Sequence, residues 1–514
     1  MVLFINTADT SRHTSSANTA IYPNLGLLTL ANCLKVKSEN KIDVGYIDGT
    51  VYNNTIILEY IKTELSNIDV ICFSVLTSNF GIAAQIAEEI KKIKPKVITI
   101  FGNDHFSALY NQILTNHKYI DYGFYGNDVV FGFSDFVIDL LSNKLKELDT
   151  YAGLVYRNYN QIMKNEEDAT EYSHIPLIDY NIVNSTLPHQ QKYFEGQNST
   201  YAFMRNRNLK SQVIDIGRGC VKFSGNRINN VPLNACDFCG IIPGSKSILM
   251  PSYERAWRII KNAYDQGFNY LYVTADELPL TMWNLIKRMA DNIPSWYNEI
   301  PIEKRPKLFG YARAEGFVTE EDKIDILIHK LGFDHFFIGF DGLSEISLKV
   351  MNKQPVKQYV HTLMDYNYTA LNKLGEAGCL ITAGIVVTHL GITKSMLKEN
   401  FEQLERFVTT YPTAFAALDF GPLCPIPGSQ SFIYLTNPDF AEERARKFNL
   451  NINKQYLLSI QDKYSTSDTF EMDELINDFI LGCCPDVTPN IIDDYMKKIT
   501  KLAKKYNIVV GGGV

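Results

Sequence analysis

Several things are scarce in this 514-residue chain. Tryptophan occurs three times, cysteine nine times, and 50 Lys+Arg are outnumbered by 57 Asp+Glu. No uninterrupted apolar run approaches the roughly 18 residues that a membrane-spanning helix requires. An odd, thinly spread cysteine count excludes a disulfide framework and points to a reducing compartment, where thiols serve as core residues or metal ligands. A formal charge of -7 does not suit a surface that must neutralise many phosphates, so nucleic acid is not an expected partner. The start MVLFINTAD lacks the basic beginning and small-residue cleavage site of a signal peptide. The expectation is a soluble, cytoplasmic protein with no membrane partner. With 46% hydrophobic and 21% charged residues, the chain has material for two to four domains with full cores, which excludes a disordered or fibrous protein.

From residue 1 to 149, short β-rich runs (VLFIN, IDVGYID, DVICFSVLT, KVITIFG) alternate with longer amphipathic stretches, the pattern of a parallel α/β sheet. Asp48, Thr77 and His105 fall near strand ends, where such sheets bind ligands; taken singly, Asp48 and Thr77 also read as helix caps, and His105 as a loop residue. Residues 150–208 are polar and irregular and read as a connecting segment, with a hairpin at GLVYRNYNQIMK. Between 209 and 430 the alternation returns with about six strands, predicting a partial (β/α)6 barrel. Residues 431–514 read as mostly helical, with the terminal VVGGGV frayed.

The strongest chemical signal is GRGC at Cys220, then fifteen residues, then CDFCG with Cys236 and Cys239. Two thiolates two residues apart reach one metal centre from a single turn, and a third leaves one position open. The alternatives are a zinc knuckle completed by another Cys or His, or buried thiols. The triad follows the first barrel strand, on the face where barrel active sites form, and a zinc staple has no reason to be there.

These residues make the chain resemble the radical S-adenosylmethionine (SAM) superfamily, in the group with an N-terminal cobalamin-binding-type domain. The family motif is C-x3-C-x2-C with an aromatic residue before the last Cys. Phe238 fills that place here, while the first spacing is fifteen residues. Further matches run in order. TADE with Asp276 and Glu277 resembles the strand end that contacts the SAM amino group, and Arg313 in GYARAEG the Arg that pairs with its carboxylate. FIGFDGLSEISLKVMNKQ resembles the GxES…VLKxMNK stretch, with Asp341 in place of Glu near the ribose and Ser344 beside it. LITAGIVVTHLG and PLCPIPGSQ resemble the fifth-strand segment and the end of the domain. In the front domain YPNLGLLTLAN resembles the YPPLGLxYLA start, and Asp48, Thr77, Gly102 and Ser107 occupy the strand ends that would line a cobalamin cleft. The family's GGPH is GNDH here, its GEGE-type run is GNDV, and no D-x-H-x-x-G motif offers a histidine to cobalt.

The resemblance implies a [4Fe-4S] cluster on Cys220, Cys236 and Cys239, with SAM and cobalamin as cofactors. It implies a 5′-deoxyadenosyl radical that abstracts hydrogen, then methylation of an unactivated carbon of a peptide or natural-product precursor. An external electron donor such as flavodoxin or ferredoxin is the implied partner. The alternatives are a cobalamin-free radical SAM epimerase, oxidase or rearrangement enzyme with a vestigial front domain, and a non-catalytic, zinc-stapled α/β scaffold. A tRNA methylthiotransferase is disfavoured, since there is no basic tail and no cluster of three spare cysteines in the front domain. No catalytic residue is singled out by the sequence.

Overall fold

The computed structural model describes residues 1–9, 22–167, 172–200, 207–223, 227–228, 231–240, 248–355, 357 and 359–511. Parts of the segment between Cys220 and Cys236 (224–226 and 229–230) and the final 512–514 lie outside them.

The first unit is built on strands β1 (Val2–Asn6), β2 (Val44–Asp48), β3 (Val70–Ser74), β4 (Ile98–Gly102) and β5 (Tyr122–Phe124), all parallel. They are Val-, Ile- and Phe-rich and buried on both faces, as parallel strands covered by helices must be. The helices α1 (Leu25–Lys37), α2 (Asn54–Glu64), α3 (Phe80–Ile93), α4 (Asp104–Asn116) and α5 (Val130–Leu141) supply the cover. Side-chain caps fix where three of them begin: Asn24 accepts from the Leu27 N–H, Asn53 from the Ile56 N–H, and Asn103 from the Asp104 N–H. The hairpin expected within the connecting segment forms as β6 (Leu154–Asn158) and β7 (Gln161–Lys164). Rather than standing between two units, it adds two antiparallel strands to this sheet, whose order is β2-β1-β3-β4-β5-β6-β7.

The second sheet contains β8 (Ser211–Ile214), β11 (Tyr270–Val273), β12 (Lys307–Arg313), β13 (Phe333–Gly339), β14 (Leu380–Val386), β15 (Phe415–Gly421) and β16 (Val509–Gly511), in that spatial order and all parallel. Between β8 and β11 lie the two-residue strands β9 (Arg227–Ile228) and β10 (Val231–Pro232). Sequential neighbours joined by helices curl into a half-barrel, with one face on the helices and the other on a concave lumen. The lumen floor is aromatic: Tyr272 stacks on Phe309 at 4.9 Å, and Phe309 on His335 at 4.2 Å.

Two expectations change here. The terminal VVGGGV is not frayed at its start, because Val509–Gly511 pair with Ala417–Asp419 and extend the sheet. Neither Asp48 nor Thr77 caps a helix: Asp48 is bonded by Asn6, Tyr46 and Tyr193, and Thr77 by His105. The tail after residue 430 is helical up to β16. It ties back to the first unit through Asp468, whose carboxylate meets His117 and Asn116 while its carbonyl meets His105. Among the described residues, no helix is long and apolar enough to cross a membrane.

Candidate functional site

A cleft of about 310 Å³ opens where the strand ends of the first sheet face the half-barrel. Its floor is apolar (Leu27, Cys72, Phe133), and its rim carries amides and a hydroxyl from Asn24, Ser74 and Asn103. Asn24 and Asn103 both donate to Ser74 Oγ, at 3.0 and 2.9 Å. Asn103 holds a left-handed φ of 84°, which turns the chain sharply from β4 into α4 and brings Asp104 to the cleft. The opposite wall is barrel: Asp215, Arg218, Thr274 and Asp276. Arg218 pairs with Asp215 at 2.9 Å and donates to the Asn127 carbonyl at 3.1 Å, so it bridges the two units. A site with an apolar base and a rim of amides suits a large ligand that offers amides around a flat apolar body.

Of the four residues expected at this cleft, only Gly102 lines it. Asp48 is fully buried beneath Tyr46 and Tyr193, Thr77 is held by His105, and Ser107 accepts from the Gly126 N–H behind the cleft wall. His105 is buried, with one ring nitrogen on Thr77 and the other on the Asp468 carbonyl. Burial pushes it down to about 4, so it stays neutral and internally bonded.

Asp104 and Asp276 are the acidic surprise. Burial, then the Asp276 charge, pushes the Asp104 carboxyl up to about 7; burial also raises Asp276. Because the folded state prefers neutral Asp104, it binds more protons than the unfolded chain between pH ~4 and ~7, and stability falls as pH rises through that window. Asp104→Asn is therefore expected to gain on the order of 1–2 kcal/mol at pH 8, a figure reduced because the carboxyl looks on to the cleft, and nothing below pH ~4. Melting curves at both pH values check this; equal gains at both would remove the charge argument.

The cysteine loop begins one residue beyond a direct link to this wall, since Asp276 accepts from the Gly219 N–H at 2.6 Å. Cys220, Cys236 and Cys239 are each half-buried, and none of the nine cysteines forms a disulfide. The Cys239 N–H donates to the Cys236 carbonyl at 2.9 Å and closes the C-x2-C turn. Arg313 Nη1 donates to Cys236 Sγ at 3.3 Å, while Nη2 reaches Glu315 at 2.7 Å and the Lys353 carbonyl at 3.0 Å. Burial opposes the charge on Arg313, but Cys236 and Glu315 outweigh it and hold the guanidinium protonated. Burial pushes the Cys220 thiol up to about 12, against the pull of the Lys222 backbone and Arg313. Among the described residues, no three His, Cys, Asp or Glu side chains are close enough as they stand to hold a metal ion. The donor chemistry of three thiols suits a thiophilic centre.

Phe238 packs half-buried against the core. Glu277 is buried, and its carboxylate accepts from the Leu280 and Thr281 N–H groups, the latter at 2.6 Å. Asp341, at φ 53°, is salt-bridged to Lys353, and Ser344 caps the helix Glu345–Val350. Arg313 and Asp341 thus have separate partners, not each other.

Sequence reasoning missed the residues that hold the loop. Asn352 donates to the Leu233 and Ala235 carbonyls at 2.7 Å each, and Gln430 donates to Pro232, Leu233 and Ala235. Asp237 is buried against Tyr434 and Arg444. The signal available was MNK and PGSQ, read only as resemblance.

A family model described as the B12 binding domain matches residues 18–130. The comparison with curated proteins found no match. Among solved structures, the chain is similar to the radical S-adenosylmethionine methyltransferase TsrM from Kitasatospora setae, with cobalamin and a [4Fe-4S] cluster bound. That match has a TM-score of 0.61 and 13% identity, over 85% of this chain and 78% of that one. It is also similar to the cobalamin-dependent S-adenosylmethionine radical enzyme OxsB with aqua-cobalamin bound, at a TM-score of 0.57 and 18% identity. There 99% of this chain is covered and 61% of the other. The fold is thus an α/β two-unit architecture: a B12-binding domain followed by a curled parallel half-barrel. It is the fold that TsrM and OxsB share.

Proposed function

We propose that the protein is a cobalamin-dependent radical SAM enzyme that methylates a carbon of a small-molecule or peptide substrate. The observation that carries this reading is the continuity of the two regions: Asp276 lines the interdomain cleft and also holds the backbone one residue before Cys220. The amide-rimmed cleft fits the corrin periphery of cobalamin, and three thiols on the barrel rim fit a cluster with one open iron. When bound, these groups supply reductive cleavage of SAM to a deoxyadenosyl radical and a transferable methyl group.

In this reading Cys220, Cys236 and Cys239 hold the cluster, and Arg313 keeps a positive charge beside Cys236. Asp276 and Glu277 fix the strand end that receives the methionine part of SAM. Asp341 and Ser344 mark the ribose side, and Phe238 backs the cluster turn. Gly102, with Ser74 and Asn103, faces the cobalamin. Asp48, Thr77 and Ser107 support that surface from behind. The units run as 1–149, 150–208, 209–430 and 431–514, with the hairpin counted into the first sheet. An external one-electron donor and a cytoplasmic setting belong to the same reading.

The test is anaerobic reconstitution with iron, sulfide and methylcobalamin, followed by SAM carrying a labelled methyl group. Stoichiometric iron and cobalamin together with deoxyadenosine formation support the proposal. Deoxyadenosine without cobalamin binding moves the protein to the cobalamin-free alternative, for which Asn103 and Asp104 in the cleft are the relevant departures. Colourless protein with bound zinc would discard both.

A further inference from the structure

Near its C-terminal end, each of six half-barrel strands places one half-buried residue on the lumen: Asp215 just beyond β8, Thr274 just beyond β11, then Tyr311, Gly339, Val386 and Asp419. Their chain neighbours, which face the helices, are buried. The lumen is therefore a recess above the aromatic floor. Four carboxylates stand on or above it, and three have partners: Asp215 has Arg218, Asp276 has the Gly219 N–H, and Asp341 has Lys353. Asp419 has none among the described residues.

The surroundings of Asp419 are built from glycine. In register it sits opposite Gly384 on β14 and Gly511 on β16, so no side chain from either adjacent position covers it. Two residues on, a Cβ added to Gly421 would meet nothing within 4 Å, which marks open space above the carboxylate. On the β14 side, a Cβ at Gly384 would come within 2.6 Å of the far end of the Phe337 ring, so that ring reaches over the strand position beside Asp419. Tyr311 packs on Phe337 at 4.7 Å between centroids. The result is a niche with an unpaired carboxylate on one side and the Phe337 and Tyr311 rings on another. Burial raises the Asp419 carboxyl to about 6, with no neighbouring charge contributing, so at neutral pH it is ionised and uncompensated. An ionised carboxylate left without a partner inside a protein costs stability, and such groups cluster where a ligand supplies the counter-charge.

We propose that Asp419 anchors a protonated amine of the substrate, with the rings of Phe337 and Tyr311 packing against the ammonium and its apolar neighbour. This rests on the reading of the barrel lumen as the substrate chamber. A carboxylate and an aromatic face together favour an organic cation over a neutral isostere, through charge pairing and the ring quadrupole. The substrate class is then an amine-bearing molecule with an apolar or aromatic body.

The test needs no turnover. Equilibrium dialysis of the reconstituted protein at pH 8 compares phenethylamine with phenethyl alcohol, its uncharged counterpart. Native protein is expected to bind the amine ~10-fold or more tightly than the alcohol. In Asp419→Asn, which keeps the shape, that preference disappears, while SAM binding and cluster absorption stay unchanged. The preference also shrinks at pH 5, where the carboxyl is protonated. Equal binding of the two probes by native protein overturns the proposal, as does undiminished amine preference in Asp419→Asn, or a loss in that variant that falls on SAM instead. Absence of cluster and cobalamin in a protein that still prefers the amine would sink the enzymatic reading and leave the amine niche standing.

Discussion

Cys236→Ala and Cys239→Ala are each expected to remove the broad absorption near ~400 nm of a thiolate-bound iron–sulfur cluster, and Cys220→Ala to do the same despite its distance along the chain. The two residues of the C-x2-C turn are held by one local hydrogen bond, so losing either sulfur halves the local donor set. Cys220 is separated from Cys236 by fifteen residues, but both thiols lie within the electrostatic reach of the Arg313 guanidinium. Iron content should fall at least ~10-fold in each variant. Cys424→Ala is the control: it lies half-buried in PLCPIPG, outside the GRGC and CDFCG segments. Its loss should leave the spectrum intact. A Cys220→Ala protein that keeps its iron while Cys424→Ala loses it would exchange the two assignments.

The alternation of β-rich and amphipathic runs made both sheets legible, because parallel strands buried on two faces leave long apolar runs that survive without any tertiary information. The position of the cysteines after the first barrel strand was legible for the same reason. What stayed hidden was cover. Strand ends can be counted, but what covers them cannot: Asp48 is in register with Asn6, Ser74 and Gly102 and shares their face, yet on the edge strand β2 it is covered by Tyr193 and His189, while Gly102 and Ser74 reach the cleft. The three-residue β16 was unreadable as a strand because its pairing partner, Ala417–Asp419, lies some ninety residues earlier. Partnerships across the chain were equally silent: Asp237 and Tyr434 are 197 positions apart, and nothing in the spacing of CDFC announces that its second residue is the buried one.

That residue carries the second large effect. Asp237 is 2% exposed, accepts from Tyr434 Oη at 2.5 Å, and faces Arg444 at 3.5 Å. Its own backbone is fixed at both ends: its N–H donates to the Met351 carbonyl at 3.1 Å, and its carbonyl accepts from the Ser431 N–H at 2.9 Å. The side chain thus pins the turn between two sulfurs to the helices Gln430–Thr436 and Pro438–Arg446. Asp237→Ala strands the Arg444 guanidinium without its anion and Tyr434 without its acceptor, and breaking a buried charged pair in this way costs about 3–5 kcal/mol. Asp237→Asn keeps an acceptor for Tyr434 and loses only the charge, so it should cost less than half as much. The expected outcome is a lowered denaturation midpoint and poor iron retention in the Ala variant, with the Asn variant between it and the native protein in both measurements. If the Ala variant unfolds at the native midpoint and still holds its iron, Asp237 is a spacer and the C-terminal helices do not position the cluster turn.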